Sequence, residues 1–99
     1  MFIHSVYYWL RPDLTADPHA TFHAGVQALT TIETVQQAYY GVPAPIDRPV
    51  IERGYSVALI VLFRDQVAHD QYQEHPIHHD FREQCAALWS KVVVYDIIC

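Results

Sequence analysis

The chain has 99 residues, of which 52% are apolar and only 17% charged. This length amounts to one domain, so we expect a single domain over residues 1–99. The composition excludes intrinsic disorder, which requires low hydrophobicity and high charge. Six basic against eleven acidic residues give a formal charge of −5 at pH 7, so the chain lacks the basic surface that binds nucleic acid or anionic lipid.

No segment has the character of a membrane span or a targeting signal. The longest apolar stretch, residues 57–63, is far shorter than the ~20 residues that a spanning helix needs. Met1 runs into Phe2-Ile3-His4 without a basic region, so no signal peptide is expected. The two cysteines, Cys85 and Cys99, form no CxxC pair, which favours a reducing compartment. We therefore expect a cytoplasmic protein that contacts no membrane.

The chain begins with a strand pattern that gives way to a helix pattern. Residues 2–9 are rich in β-branched and aromatic side chains, which predicts a strand. Asp17 is the expected N-cap of the first helix, with Pro18 at its first position. Gly25 lies mid-helix and is expected to allow close packing on the sheet. Apolar residues at helical spacing predict the buried face of this helix: Phe22, Val26 and Leu29.

Two further strands are separated by a long loop. Residues 33–40 are polar enough to predict an edge strand, which Gly41 closes. Residues 41–54 contain three prolines and two glycines and predict a loop of the kind that often has a function. Residues 55–63 are almost continuously apolar, which predicts a strand buried on both faces.

The last third of the chain predicts two helices and a final strand at 91–98. Residues 65–74 form a short helix that stops before Pro76, because the residue preceding a proline avoids the helical region. A second helix restarts at Pro76, with its apolar stripe formed by Ile77, Phe81, Cys85, Leu88 and Trp89. The order β-α-β-β-α-β is that of a ferredoxin-like α+β fold, with two helices on one face of a four-stranded antiparallel sheet.

Such a sheet has a second face that no helix covers. The third and fourth predicted strands are nevertheless apolar on both faces, and large exposed apolar patches mark interaction sites. We therefore expect a C2 homodimer through the open sheet face. Two four-stranded sheets would close into an eight-stranded dimeric α/β barrel, which also protects the sheet edges.

The segment 72–81, Tyr-Gln-Glu-His-Pro-Ile-His-His-Asp-Phe, contains the candidate catalytic residues. Pro76 fixes a break between two helices, so Tyr72 before it and His78 after it can point into one space. A helix N-terminus disfavours imidazolium and lowers the pKa of His78, which suits a general base. Tyr72 would donate a hydrogen bond to a developing oxyanion. We predict that His78 and Tyr72 are catalytic and enolise a carbonyl compound.

His4 and His75 are the predicted substrate-binding residues. His4 reaches the same pocket if its strand face looks toward the helices. Each prediction has a structural alternative: a satisfied core histidine for His4, a helix cap for His75, and for Tyr72 a buried phenol bonded to the backbone. The other histidines are predicted to lie at the surface: His19, His23, His69 and His79.

The same segment also contains residue types that bind metals. Imidazole and carboxylate ligands are available from His75, His78 and His79 with Glu74 or Asp80. No His-Glu-x-x-His pattern is present, however, and Pro76 disrupts a common helical face. We therefore expect no metal and no cofactor.

These residues make the chain resemble the stress-responsive α/β-barrel (Dabb) family over essentially its whole length. The resemblance rests most on Tyr72-x-x-His75-Pro76-x-His78 followed by Phe81. Shorter segments add to it: His4, Gly41-Val42-Pro43, Gly54-Tyr55-Ser56 and Phe63-Arg64-Asp65. The resemblance implies a dimeric ferredoxin-like barrel.

For function, the resemblance implies less than for fold. Many bacterial members have no assigned activity, and some plant members are linked to stress tolerance. A polyketide-cyclase branch performs an intramolecular aldol condensation with a Tyr and a His that match Tyr72 and His78. A second His of that branch falls at or near Val57 in this chain, so the sequence departs from the cyclase pattern there.

Three classes of function follow. The first is a cofactor-free enzyme of the cyclase or lyase type that acts on an enolisable hydrophobic or polyketide-like small molecule. The second is a non-catalytic dimer with a stress role or a small hydrophobic ligand. The third is a haem-handling or oxygen-using barrel, which would be coloured on haem titration. The first class predicts a cavity in which polar atoms converge on Tyr72 and His78.

Overall fold

The computed structural model describes all residues from Met1 to Cys99. The elements in chain order are β1 (Phe2–Leu10), α1 (Ala16–Leu29), β2 (Gln37–Gly41), β3 (Val57–Phe63), α2 (Gln66–Glu74), α3 (Pro76–Cys85), a 3-10 turn (Ala86–Leu88) and β4 (Trp89–Ile98). The strands form one sheet in the order β2-β3-β1-β4, and all neighbours are antiparallel. The predicted ferredoxin-like α+β fold is confirmed.

The helices cover one face of this sheet, and the core lies between the two layers. Alternate residues of β1 and β3 point toward the helices and are buried: Phe2, His4, Val6, Tyr8, Val57, Leu59, Val61 and Phe63. The predicted face of α1 packs against them through Phe22, Val26 and Leu29, which are also buried. Burying one such large apolar side chain stabilises the fold by about 1.5–3 kcal/mol.

The start of α1 differs from the prediction. Thr15 is the N-cap and makes no side-chain cap hydrogen bond, while Asp17 lies inside the first turn. The predicted cap at Asp17 is therefore wrong, and Pro18 is the third helical residue rather than the first. Pro18 is tolerated there because the first four backbone N–H groups of a helix have no partner within it. The Asp17 carboxylate still lies near the positive end of the helix dipole.

Gly25 brings two helices together. A Cβ atom added to Gly25 would lie 2.9 Å from Phe81 Cδ1 and 3.1 Å from Cys85 Sγ. Both neighbours belong to α3, so the glycine allows α1 and α3 to approach closely. The predicted close contact exists, but it is made with α3 and not with the sheet.

Several other element boundaries also differ from the prediction, and β3 starts at Val57 rather than at residue 55. β2 starts at Gln37 rather than at residue 33, because residues 33–36 belong to a turn anchored by the buried Ile32, whose carbonyl accepts from Val35 N–H. As predicted, β2 is an edge strand. α3 stops at Cys85, and Trp89 begins β4 instead of ending a helix. No helix in the structure is both long and apolar enough to span a bilayer.

The second face of the sheet carries apolar side chains and no helix. Residues of β1 and β4 on this face line a shallow depression of about 390 Å³ together with the loop before β3: Tyr7, Trp9, Glu52, Tyr55, Lys91, Val93 and Tyr95. Tyr39 and Ile97 extend the apolar surface toward the sheet edges and are exposed. An isolated chain thus presents the kind of contiguous apolar patch that marks an interaction site.

Candidate functional site

The site is built around the break between α2 and α3. His75 has an extended backbone that ends α2, and its Nδ1 accepts a hydrogen bond of 3.1 Å from Ile77 N–H at the start of α3. Pro76 follows at the first position of α3, where its missing N–H costs nothing. The break turns the two helices so that the rings of Tyr72 and His78 meet edge to face, with centroids 5.1 Å apart.

Three of the four predicted site residues line one cavity. His4, Tyr72 and His78 surround a space of about 220 Å³ between the helices and strands β1 and β4. Its other walls are mostly apolar, with Gln73 and Arg82 as polar members beside Val6, Tyr8, Phe81, Trp89, Val92 and Val94. The space exceeds the ~150 Å³ cavity that admits benzene. It is smaller than the ~300–1,000 Å³ of drug-sized ligand pockets, so it suits one ring with short substituents.

His78 is held in its neutral form. Burial lowers its pKa from the usual 6.5 to about 4, and the positive charge of Arg82 adds to this effect. The predicted direction of the shift is confirmed, but desolvation rather than the helix N-terminus is its largest cause. The Nδ1 atom of His78 is buried and has no hydrogen-bond partner in the chain. Leaving such an atom unpaired costs free energy, so a polar ligand group that bonds to it would be favoured.

Tyr72 is held as a hydrogen-bond donor. Its side chain is 1% exposed and packs edge to face against Phe63 and His4 as well as His78. Burial raises the pKa of the phenol, so the hydroxyl keeps its proton at neutral pH. The predicted structural alternative, a hydroxyl bonded to the backbone, is not observed.

His4 is oriented by a carboxylate that the sequence reading missed. His4 is 5% exposed, and its Nδ1 lies 2.6 Å from Oδ1 of Asp96. The two residues face each other directly across β1 and β4. Because the carboxylate accepts, Nδ1 carries the proton, and Nε2 of the neutral ring carries the free lone pair. Burial lowers the pKa of His4 more than Asp96 raises it, which keeps the ring neutral.

Strand alternation could have found Asp96. Counting in steps of two from Val92 and Val94 puts Asp96 on the helix-facing side of β4. A carboxylate on the core-facing side of a strand favours a polar partner, because even partial burial of an unpaired charge is costly. The missing information was the register, which decides that this partner is His4.

Two of the other histidines differ from their predictions, and three lie where they are expected. His75 does not line the cavity; besides capping α3, its Nε2 lies 3.4 Å from Glu33 Oε2. His19, His23 and His79 are exposed, as predicted. The prediction of a surface position for His69 is wrong, because its side chain is only 13% exposed and its ring stacks on Phe2 at 4.3 Å. His69 lies on the face of α2 that packs against the start of β1.

The fold and this cavity define a ferredoxin-like α+β domain with a histidine–tyrosine site between its helices and its sheet. The family model described as the stress responsive A/B barrel domain, Dabb, matches residues 2–99. The chain therefore belongs to the Dabb family, as the sequence motifs indicated. No curated protein matches the chain.

Solved structures share the fold at low sequence identity. An Arabidopsis thaliana protein has a TM-score of 0.82 and 19% identity, with 100% of this chain and 95% of that chain covered. A dimeric ferredoxin-like protein of unknown function from Thermobifida fusca has a TM-score of 0.79 and 16% identity, with 99% and 90% covered. A hydroxynitrile lyase from Passiflora edulis has a TM-score of 0.81 and 17% identity, with 99% and 92% covered. At these identities the likeness is one of fold alone.

Proposed function

We propose that the protein is a homodimeric enzyme of the lyase or cyclase type, which makes a carbon–carbon bond at a carbonyl carbon, or breaks one at a hydroxyl-bearing carbon, in a small hydrophobic molecule. The observation that carries this proposal is the convergence of a neutral imidazole and a protonated phenol on one cavity. His78 is the general base, and Tyr72 is the hydrogen-bond donor. No cofactor takes part in the proton transfers.

In the proposed reaction, protons move only between the substrate and His78. His78 removes a proton from the carbon next to a carbonyl, and the oxygen of the resulting enolate accepts a hydrogen bond from Tyr72. In the condensing direction the enolate carbon attacks a second carbonyl, a carbon–carbon bond forms, and the imidazolium returns its proton to the new alkoxide. In the cleaving direction His78 takes the hydroxyl proton, the carbon–carbon bond breaks, and the released carbanion receives that proton.

His4 is proposed to bind the substrate. Its Nδ1–H is engaged by Asp96, so Nε2 is left as a fixed acceptor for a substrate hydroxyl. Both histidines are then acceptors, and Tyr72 is the only donor of the three. This arrangement suits a substrate with one hydroxyl or acidic C–H and one acceptor, either a carbonyl oxygen or a nitrile nitrogen.

Cavity size and wall chemistry limit the substrate class. About 220 Å³ with mostly apolar walls suits a single aromatic ring or short acyl chain, and a haem is far larger. One structural neighbour is a hydroxynitrile lyase, which makes small aromatic hydroxynitriles a reasonable first substrate series. Short diketones, which enolise readily, form the second series.

The homodimer is proposed to form through the open face of the sheet. The exposed apolar side chains there include Tyr39, Tyr95 and Ile97. A second copy in C2 symmetry would bury them and close the two sheets into a barrel. Neighbours of the same fold, such as that from Thermobifida fusca, are dimeric.

The test is a substrate screen with matched variants. Wild-type protein is assayed for aldehyde release from aromatic hydroxynitriles and for cyclisation of diketones, beside His78→Asn, Tyr72→Phe and the exposed control His79→Ala. We expect activity in wild type and His79→Ala, and a loss of at least about 100-fold in His78→Asn, the usual scale for a missing acid–base group. Full activity in His78→Asn would overturn the assignment.

A non-catalytic binding dimer is the second candidate, favoured by the mostly apolar walls of the cavity. It predicts no turnover of either series, together with saturable binding of the same compounds by calorimetry. His78→Asn would then change affinity alone.

A further inference from the structure

A second cluster of polar side chains lies next to the cavity. It consists of His4 on β1, His69 on α2 and Asp96 on β4, and each offers a ligand atom within 4.8 Å of the other two. The rings of His4 and His69 have centroids 5.0 Å apart. No other group of three or more histidine, cysteine or acidic residues in the chain comes together in this way.

We propose that His4, His69 and Asp96 bind a divalent transition-metal ion of the Zn²⁺ type. Two imidazoles and one carboxylate are ligands that Zn²⁺ and its neighbours accept, and three protein ligands leave positions for water. Ligands about 2.0–2.2 Å from a tetrahedral ion lie about 3.4 Å from each other. The ligand atoms lie within 4.8 Å of one another, and His4 Nδ1 and Asp96 Oδ1 are 2.6 Å apart. Binding therefore requires side-chain rotations, and the ion replaces the proton that His4 Nδ1 donates to Asp96.

The surroundings of His69 fit this role. Its Nδ1 lies 3.0 Å from Asp70 Oδ1, and a carboxylate on the second ring nitrogen is a common support for a metal-binding histidine. Its Nε2 lies 3.3 Å from the amide nitrogen of Gln73, a flexible side chain that can move aside. The imidazole is therefore oriented, while its remaining nitrogen is blocked only weakly.

The cluster is accessible from solvent and separate from the proposed catalytic pair. The Asp96 side chain is 37% exposed, which provides an entry path for an ion. Neither Tyr72 nor His78 is a ligand, so metal binding and catalysis can be tested apart. His4 is shared with the cavity, so a bound ion would sit beside any molecule held there.

The experiment is titration of the untagged protein with ZnCl₂ by isothermal calorimetry, supported by the visible absorption of Co²⁺. Two variants remove one ligand each and keep the local shape. His69→Phe retains the ring that stacks on Phe2, and Asp96→Asn retains an oxygen that accepts from His4. His19→Ala is the control, because His19 and His23 form an exposed i, i+4 histidine pair on α1 that lies outside the proposed cluster.

We expect one ion per chain, with affinity reduced at least about tenfold in both His69→Phe and Asp96→Asn. His19→Ala should bind as the wild type does. Wild-type affinity in either ligand variant, or no binding by the wild type, would overturn the proposal. Circular dichroism of each variant establishes that a loss of binding does not come from unfolding.

Discussion

The rings of Tyr72 and His78 lie edge to face at 5.1 Å although they belong to different helices. Between them the chain leaves helical geometry for one residue, His75, and re-enters it at Pro76. The two side chains would point in other directions on a continuous helix. The break at His75 is therefore part of the site, even though the His75 ring itself lies outside the cavity.

The cap at His75 can be tested through stability. His75→Ala removes the acceptor of Ile77 N–H and should lower the free energy of unfolding by about 1 kcal/mol. His75→Asn keeps a good capping side chain and should lose much less. Urea unfolding of both variants measures the difference. Equal losses would mean that the ring acts by packing and not as a cap.

The depressed pKa of His78 predicts how stability depends on pH. Between pH 6.5 and about 4 the unfolded chain binds a proton on this residue that the folded chain does not. The stabilisation of the fold by the neutral His78 is therefore fully present above pH 6.5, and it is lost as the pH falls toward 4. Urea unfolding at steps across this window should give a flatter curve for His78→Asn than for wild type. Parallel curves would contradict the neutral, buried imidazole.

The same pKa predicts the acid limb of any activity found. A base with a pKa of about 4 stays unprotonated far below neutrality, so the rate should persist well below pH 6.5. The kcat/KM profile of the wild type over this range, at pH values where the fold is intact by circular dichroism, provides the measurement. A fall centred near 6.5 would point to a group other than His78.

The proposed dimer interface can be tested with two matched variants. Tyr95 on the open sheet face and Val67 on α2 are exposed to nearly the same degree, 63% and 62%. Tyr95→Glu places a charge where the second copy would pack and should give a monomer by light scattering. Val67→Glu lies on the helix side and should leave the dimer intact. A dimer in both variants would place the interface elsewhere.

Gly25 offers a test of helix packing. Alanine is favoured over glycine inside a helix by about 1 kcal/mol, yet its Cβ would lie 2.9 Å from Phe81 Cδ1. Overpacking of this kind costs about 1–3 kcal/mol, so Gly25→Ala should be destabilising or at best neutral. Gln27→Ala, at an exposed position of the same helix, serves as the control. If Gly25→Ala were more stable than wild type, α3 would move away from α1 at little cost in free energy.

Much of the fold follows from local patterns. Alternation along β1 and β3 places His4 on the helix side, and Pro76 fixes the break that pairs Tyr72 with His78. The sequence favours the wrong start for α1, because a strong capping residue, Asp17, competes with Thr15, whose backbone is extended. Local propensity does not decide between such neighbours when packing sets the helix boundary.

The rest of the site depends on contacts between distant segments. The role of Asp96 depends on the strand register, which pairs it with His4. His69 looks like a polar residue of a short surface helix until the packing of α2 puts its ring against Phe2. The sequence contains these residues, but not the three-dimensional pairings that turn them into neighbours.

The pairing of His4 with Asp96 joins positions 92 residues apart. A growing chain that has already made Tyr72 and His78 still lacks the carboxylate that orients His4 and the cavity wall formed by Val92 and Val94. Such long-range pairing is slow compared with helix formation, since the intervening chain must be ordered first. The site is therefore completed late in biogenesis, when β4 docks, and partly made chains have the helices and β1 of the site without its β4 wall.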